Sequence, residues 1–370
     1  MKVCSSRWEK KGNDGGQFFT PREVVRAVIQ TVDPKIGDTV YDPCCGTGGF
    51  LAQAYEYMFK QIGKSADDIE ILKQRTFYGR EKENLVYPVA LANLVLHGID
   101  EPHIWHGNTL SGEEAYGGLF SDSPELYDVI ITNPPFGGKE NKDVQNNFEY
   151  KTSATQVLFL QHVMKKLNSG GKCGIVVDEG VLFRTNESAF VSTKEKLLDE
   201  CDVYAIVSLP GGVFNSAGAG VKTNLIFFKK GKPTKKIWYY DLSEMKIGKK
   251  TPISMKDFEE FGRLLKSKPD TENSWTIDIT QKKKLAKLEA DTLRKSAKVI
   301  QDANPILDKK QEEEVKDLLK KASAIEDSVY DLKAVNPNRK SEEDNRTPKE
   351  LIDFIQKKDL EISKLLTSLV

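Results

Sequence analysis

Tyr127-Asp128-Val129-Ile130-Ile131-Thr132-Asn133-Pro134-Pro135-Phe136 runs from an apolar stretch directly into a stiff polar tetrad. The apolar part has the length and β-branched content of a buried strand, so the tetrad sits at a strand's carboxyl end, the usual ligand crevice of an open α/β sheet. Two consecutive prolines fix φ and carry no N–H. The loop is therefore stiff, cannot relax into a helix, and leaves its carbonyls free to accept. The Asn133 amide oxygen and the Pro134 carbonyl are placed to converge on an amino group, with the Phe136 ring beside them as a stacking face. A plain strand-ending turn is the structural alternative, since Asn-Pro often serves as one.

A second stretch upstream has a related form. Thr39-Val40-Tyr41-Asp42-Pro43-Cys44-Cys45-Gly46-Thr47-Gly48-Gly49-Phe50-Leu51 reads as a short strand, a glycine loop and an amphipathic helix continuing through Ala52, Ala54, Tyr55 and Met58. Gly46 and Gly48 permit positive φ and close backbone approach, and the first N–H groups of the helix point into the crevice. The spacing departs from the dinucleotide fingerprint, and Asp42 disfavours a pyrophosphate by like-charge repulsion, so an ammonium or sulfonium ligand suits the loop better. Glu81 closes the next strand candidate, Phe77-Tyr78-Gly79-Arg80-Glu81, where a nucleoside-binding α/β fold holds ribose hydroxyls; a surface glutamate is the alternative. Gly16-Gln17-Phe18-Phe19-Thr20-Pro21 precedes a helix over Arg22 to Thr31, with Thr20 suited to the cap and Pro21 to the first turn.

Composition bounds the remainder. The chain has 370 residues, enough for two structural regions, and 39% hydrophobic content, enough for a sizeable core. Lys+Arg and Asp+Glu are equal at 55 each, so there is no net basic field to hold a polyanion, and such a partner needs help from another subunit. The five cysteines, Cys4, Cys44, Cys45, Cys173 and Cys201, have no metal-type spacing, and their odd number argues against a disulfide framework. No metal site is expected. A reducing cytoplasm fits this usage, and neither an apolar signal core nor a membrane-length segment occurs, so no membrane partner is expected.

Strand candidates at Tyr41, Phe77, His103-Ile104-Trp105, Val129-Ile130-Ile131, Gly174-Ile175-Val176-Val177, Tyr204-Ala205-Ile206-Val207 and Asn224-Leu225-Ile226-Phe227-Phe228 alternate with helical patterns, notably Tyr87 to His97 and Thr155 to Leu167. The alternation predicts an α/β fold, a doubly wound, mainly parallel, seven-stranded sheet with a C-terminal helical extension. The last two candidates are close in sequence, which predicts an antiparallel hairpin at one sheet edge. The expected organisation is an arm at 1–15, a catalytic domain at 16–236, an appended segment at 237–280 and a helical tail at 281–370. Within the appended segment Trp238-Tyr239-Tyr240-Asp241-Leu242 looks like one more strand and Met255 to Leu265 like a short helix. The tail carries Leu285, Leu288, Leu293, Val315, Leu318, Leu319 and Ala322 at helical spacing, broken at Asn304-Pro305 and Asn336-Pro337-Asn338. Its final stripe, Leu351, Ile355, Ile362, Leu365 and Leu369, suits packing either on a partner helix or back onto its own domain.

The order of the motifs carries a resemblance. Gln17-Phe18-Phe19-Thr20-Pro21, then Asp42-Pro43-Cys44-Cys45-Gly46-Thr47-Gly48-Gly49-Phe50, then Glu81, then Asn133-Pro134-Pro135-Phe136-Gly137-Gly138 is similar to amino-methylating DNA methyltransferases with the cofactor motif ahead of the catalytic one. Within that group the chain most resembles the modification subunit of type I restriction-modification systems, over roughly Gly16 to Lys230. The resemblance implies a Rossmann-like class I fold and transfer of methyl from S-adenosyl-L-methionine to the N6 of a flipped adenine in double-stranded DNA. It implies further that a separate specificity subunit chooses the sequence, with a restriction subunit as a further partner. By this likeness Thr20, Asp42, Cys44, Gly46 and Gly48 surround the methionine part of the cofactor, Asn133 borders it, and Glu81 holds its ribose. Asn133, Pro134, Pro135 and Phe136 grip the adenine.

Two features depart from the pattern. Members usually have Asp in the segment matching His106-Gly107-Asn108-Thr109-Leu110, contacting the cofactor base, where Asn108 stands here. Members also carry a helical domain ahead of the first motif, whereas only Met1 to Gly15 precedes it, which reads as a truncated or split subunit. Two other readings share part of the pattern. A protein-glutamine N5 methyltransferase also uses Asn-Pro-Pro and an aromatic residue to grip an amide nitrogen, and the Phe18-Phe19-Thr20-Pro21 arm weighs against it. A non-catalytic scaffold keeping the fold is the other.

Overall fold

The computed structural model describes residues 19–63, 65–111, 123–214, 221–248, 250–303, 308–333, 335–338 and 358. The arm at 1–15, the Gly16-Gln17-Phe18 part of the first motif, the Gly/Ala/Ser loop at 215–220, the Asn304-Pro305 break and the stripe from Leu351 to Leu369 lie outside those residues.

Five strands come from the first half of the chain: β1 Val40–Asp42, β2 Phe77–Glu81, β3 His103–His106, β4 Tyr127–Thr132 and β5 Leu167–Asp178. Four more follow: β6 Cys201–Ser208, β7 Thr223–Lys230, β8 Lys236–Asp241 and β9 Ser274–Asp278. They form one sheet in the order β3-β2-β1-β4-β5-β7-β6-β8-β9. Pairing is parallel from β3 through β5 and between β6 and β8, and antiparallel at β5–β7, β6–β7 and β8–β9. Chain order reverses between β1 and β4, so the crevice at their carboxyl ends is the topological switch point of the sheet.

Nine strands rather than seven make up the sheet. The open outer edge of β6 accepts β8 in parallel register, Ala205 opposite Trp238, and β9 then closes on β8. For the same reason the β6–β7 hairpin is internal instead of marginal. β9 escaped the sequence reading because Ser-Trp-Thr-Ile-Asp is short and half-polar. What holds it is tertiary: Trp275 stacks on Tyr239 with ring centroids 5.4 Å apart.

Alternation along the strands builds a core on each face. Val129, Ile131, Val176, Leu225 and Phe227 meet the Arg22–Val32 and Gly49–Phe59 helices, while Ile130, Ile175, Val177, Ile226 and Phe228 meet the Thr155–Lys166 and Ser188–Glu200 helices. Val203 and Ala205 have the same parity yet belong to opposite cores, because the β6–β7 register shifts between them.

The chain divides into two compact units, Met1–Asn336 and Pro337–Val370. In the first, helices Ile279–Ala303 and Lys309–Asp327 pack side by side with Ile279, Ala286, Ala290, Ala297, Val315 and Ala322 as their buried positions. The chain then returns to the sheet: Leu332 N–H donates to the Leu182 carbonyl and the Tyr239 hydroxyl to the Leu332 carbonyl, both at 3.1 Å. No helix among the described residues is long and apolar enough to cross a membrane.

Candidate active site

Asp42 ends β1 and is 1% exposed. Its Oδ1 accepts from the Thr132 hydroxyl at 2.7 Å and from the Cys44 N–H at 3.2 Å. Thr132 is the last residue of β4, so this bond ties the ends of the two motif strands together. Burial is the chief cause that pushes the Asp42 carboxyl up to about 7; the two hydrogen bonds oppose it and the Glu81 charge adds to it. The same burial, followed by the neighbouring Asp42, drives the Cys44 and Cys45 thiols well above their ordinary range, which makes them packing groups rather than nucleophiles.

The glycine loop leaves β1 through Gly46, whose φ of 55° lies in the left-handed region, and Gly46 N–H donates to Glu81 Oε2 at 2.9 Å. The other carboxylate oxygen, Oε1, takes the Glu83 N–H at 2.8 Å. The Glu81 carboxyl is also raised, mainly by burial. Gly48 has a different task from Gly46. It caps the Gly49–Phe59 helix at φ 77°, and a Cβ there would lie 3.1 Å from Leu94 Cγ, so the residue is needed for packing and is not part of the cleft wall.

Asn133 leaves the end of β4. Its Nδ2 donates to Thr20 Oγ1 at 2.9 Å, while Oδ1 is buried without a hydrogen-bond partner. An orphaned buried amide oxygen costs about 1–3 kcal/mol, so it marks either strain or a place prepared for a donor. Thr20 is consequently not the helix cap. Pro21 occupies that position and, having no side-chain acceptor, makes no capping bond, while the Thr20 hydroxyl accepts from Asn133 across 113 residues of sequence. Pro134 also departs from expectation. It is buried and off the cleft wall, and its carbonyl is not free, since Gln156 Nε2 donates to it at 3.2 Å. The Phe136 ring is half-buried and fixed edge-to-face against Phe214 at 5.3 Å.

These groups surround a cleft of about 360 Å³. Thr20, Asp42, Cys44, Gly46, Glu81, Asn108, Asn133, Pro135 and Phe136 line it; Gly48 and Pro134 do not. Asn108 turns its Oδ1 to the Leu110 N–H at 3.0 Å and its Nδ2 toward Glu140 Oε2 at 3.4 Å. The glycine loop and the Asn-Pro-Pro-Phe loop thus share one cavity. Among the described residues no cluster of His, Cys, Asp or Glu is arranged to hold a metal ion.

Lys139 and Glu140 also line the cleft, and Gln156 supports it from beneath. Sequence reading did not single them out. Lys139 and Glu140 follow a Gly-Gly pair as ordinary surface charges would. Gln156 lies in Thr155-Gln156-Val157-Leu158-Phe159-Leu160, where the one available signal is a lone polar residue in an apolar helix turn.

Residues 5–324 match the family model described as N-6 DNA Methylase. The methylase subunit of the type I restriction enzyme EcoEI from Escherichia coli is 41% identical over 235 residues, 63% of this chain and 46% of that protein. The corresponding EcoKI subunit from Escherichia coli strain K12 is 32% identical over 287 residues, 72% of this chain and 53% of its own. The chain therefore spans about half the length of these curated relatives. A structure solved to explain assembly and conformational transition of a type I R-M system superposes with a TM-score of 0.68 at 37% identity, covering 96% of this chain and 66% of that one.

Proposed function

We propose, from the premise that this chain belongs to the N-6 DNA methylase family, that it is the adenine-N6 methyltransferase subunit of a type I restriction-modification system. The fold is that of class I S-adenosylmethionine-dependent methyltransferases. The observation that carries the reading is the buried, unpartnered Oδ1 of Asn133 beside a cleft that Asp42 and Glu81 also line.

The donor set suits S-adenosyl-L-methionine. Asp42 supplies a buried carboxyl that a cationic methionine moiety would draw into its ionised form, Glu81 supplies carboxylate oxygens for ribose hydroxyls, and about 360 Å³ lies within the range of small-molecule sites. When bound, that cofactor supplies a methyl group already activated by its sulfonium. The protein's own work is on the acceptor. An exocyclic base nitrogen is a poor nucleophile because its lone pair is delocalised into the ring. An acceptor aimed at its hydrogens favours the pyramidal geometry that restores the lone pair, and Asn133 Oδ1 is that acceptor. The amine is buried in a duplex, so the base must leave the stack, and the fixed Phe136 ring is the face on which it rests. Alignment then contributes much of the rate.

Thr20 anchors the Asn133 amide. Its hydroxyl accepts from Nδ2, which leaves Oδ1 as the end without a partner, and without that anchor the side chain is free to turn. Thr20→Val is expected to lower kcat about 10-fold and Thr20→Ser to restore it, as measured by single-turnover methyl transfer. Equal rates for Val and Ser variants would remove Thr20 from this role.

The neutral charge balance and the exposed Leu285 and Leu288 support a division of labour in which a specificity subunit holds the sequence and docks on the tail helices. These two leucines are 57% and 67% exposed on the Ile279–Ala303 helix. Leu285→Glu with Leu288→Glu is expected to abolish co-purification with that subunit while the Tm of the isolated chain stays within a few degrees. Undiminished co-purification would exclude this surface. A restriction subunit and a cytoplasmic setting belong to the same proposal. Labelled methyl transfer to mixed-sequence DNA, with and without the specificity protein, tests the whole; label incorporated into a protein substrate but not into DNA would overturn it.

A further inference from the structure

We infer that Gln156 is a positioning residue of the methyl-transfer site, holding the Pro134 carbonyl and through it the Asn133 loop; this rests on the reading above. Gln156 is 3% exposed and is the second residue of the Thr155–Lys166 helix. Its amide is used at both ends. Nε2 donates to the Pro134 carbonyl at 3.2 Å, and Oε1 accepts from the Asp178 N–H at 3.0 Å.

The reason lies in the prolines. β4 and β5 pair in parallel up to Thr132 opposite Ile175. Beyond that point Pro134 and Pro135 have no N–H, so from Pro134 onward β4 contributes no donor to the ladder. A primary amide has the donor and acceptor of a peptide group, and Gln156 inserts its own between the end of β4 and the end of β5. The helix that carries it is held against the same loop. Thr155 N–H donates to the Gly138 carbonyl at 3.1 Å, and a Cβ on Gly138 would come within 2.7 Å of Thr155 Oγ1. Gln156 is thereby placed under Pro134, whose missing N–H removes one possible backbone anchor from the loop. A loop displaced by about 1 Å at a reacting centre costs about 10²-fold in rate, which sets the scale of what such an anchor is worth.

Gln161, on the same helix, makes the same kind of two-ended bridge to a different loop: Nε2 donates to the Tyr150 carbonyl at 2.9 Å and Oε1 accepts from the Tyr150 N–H at 3.1 Å. It is 8% exposed and does not border the cleft, so it reports what losing such a bridge costs in stability alone.

The test is single-turnover methyl transfer to DNA, with cofactor affinity and Tm measured on each full-length variant. Gln156→Met, similar in volume and without either hydrogen bond, is expected to lose about 10- to 100-fold in kcat with cofactor affinity within about twofold of wild type. Gln161→Met is expected to lose similar Tm and keep kcat within about threefold. Gln156→Glu keeps the acceptor for Asp178 but, when ionised, sets oxygen against the Pro134 oxygen; when protonated it regains a donor. Its activity relative to wild type at each pH should therefore rise as pH falls, a ratio in which the titration of Asp42 cancels. A Gln156→Met variant with wild-type kcat, equal kcat losses in Gln156→Met and Gln161→Met, or a Gln156→Glu ratio that rises with pH would overturn the inference. Wild-type protein that binds cofactor yet transfers no methyl to DNA in the presence of its specificity protein would instead overturn the functional reading, and the inference with it.

Discussion

Asn133→Ala is expected to slow methyl transfer to DNA by at least about 10²–10³-fold, while binding of the methyl donor stays within about threefold of wild type. The size follows from the environment of Oδ1. It is buried and unpartnered, so its hydrogen bond to the incoming amine forms in a site where water does not compete. The stability result should run the other way. Removing an orphaned acceptor relieves its desolvation, and the lost bond to Thr20 leaves a hydroxyl at the cleft wall that water can reach. The Tm should stay level or rise, the usual mark of a residue kept for activity at the expense of stability. Single-turnover kinetics with calorimetric cofactor binding and thermal unfolding on one preparation checks all three. A variant within tenfold of the wild-type rate would remove Asn133 from the chemistry.

Asp42→Asn is expected to separate stability from cofactor binding as a function of pH. Folding raises this carboxyl from an ordinary 3.8 to about 7, chiefly by burial. For a raised pKa the sign is fixed: the stability contributed by the neutral form is fully present below the unfolded value and is lost as pH rises through about 7. Above that pH the ionised group costs the ligand-free fold on the order of 4 kcal/mol. Asp42→Asn should therefore unfold at a higher temperature than wild type at pH 8, with the difference vanishing near pH 4. It should bind the cationic cofactor about 10- to 100-fold more weakly, since it no longer offers a charged acceptor. In the wild type a bound cation draws Asp42 into its ionised form, so binding near pH 6 releases up to about one proton. Calorimetry in buffers of different ionisation enthalpy reads that proton directly, and Asp42→Asn should lose the dependence. A wild-type binding enthalpy indifferent to the buffer would show that Asp42 does not meet the positive charge.

Asp42 and Asn133 each leave a polar group under-satisfied in the ligand-free protein, one a carboxyl short of compensating charge and the other an oxygen short of a donor. Thr132 joins the first to the strand that bears the second. A cofactor cation and a substrate amine would relieve the two costs together.

Much of this was legible in the chain before any coordinates. The strand candidates through Phe228 all form, because runs such as Val129-Ile130-Ile131 are apolar on both faces and have only the middle of a sheet in which to bury them. Both loops were legible for the same local reason: glycines that need positive φ and prolines that cannot pair write their conformation into their own identity. Other features left weaker local traces. A short half-polar strand such as β9 exists only because β8 offers an edge, and Thr20 looks like a cap until the fold brings Asn133 to it.

That Asp42, Glu81 and Asn133 come at strand ends bordering one crevice was thus readable by sequence alone, together with the parallel part of the sheet, because backbone preference and strand burial act over a few residues. Tertiary structure alone decided that the Asn133 Nδ2 is taken by Thr20 while its Oδ1 is buried without a partner, that the Pro134 carbonyl rests on Gln156, and that burial pushes the Asp42 carboxyl up to about 7. Orientation and desolvation depend on partners 22 to 113 residues away, and no local pattern encodes them.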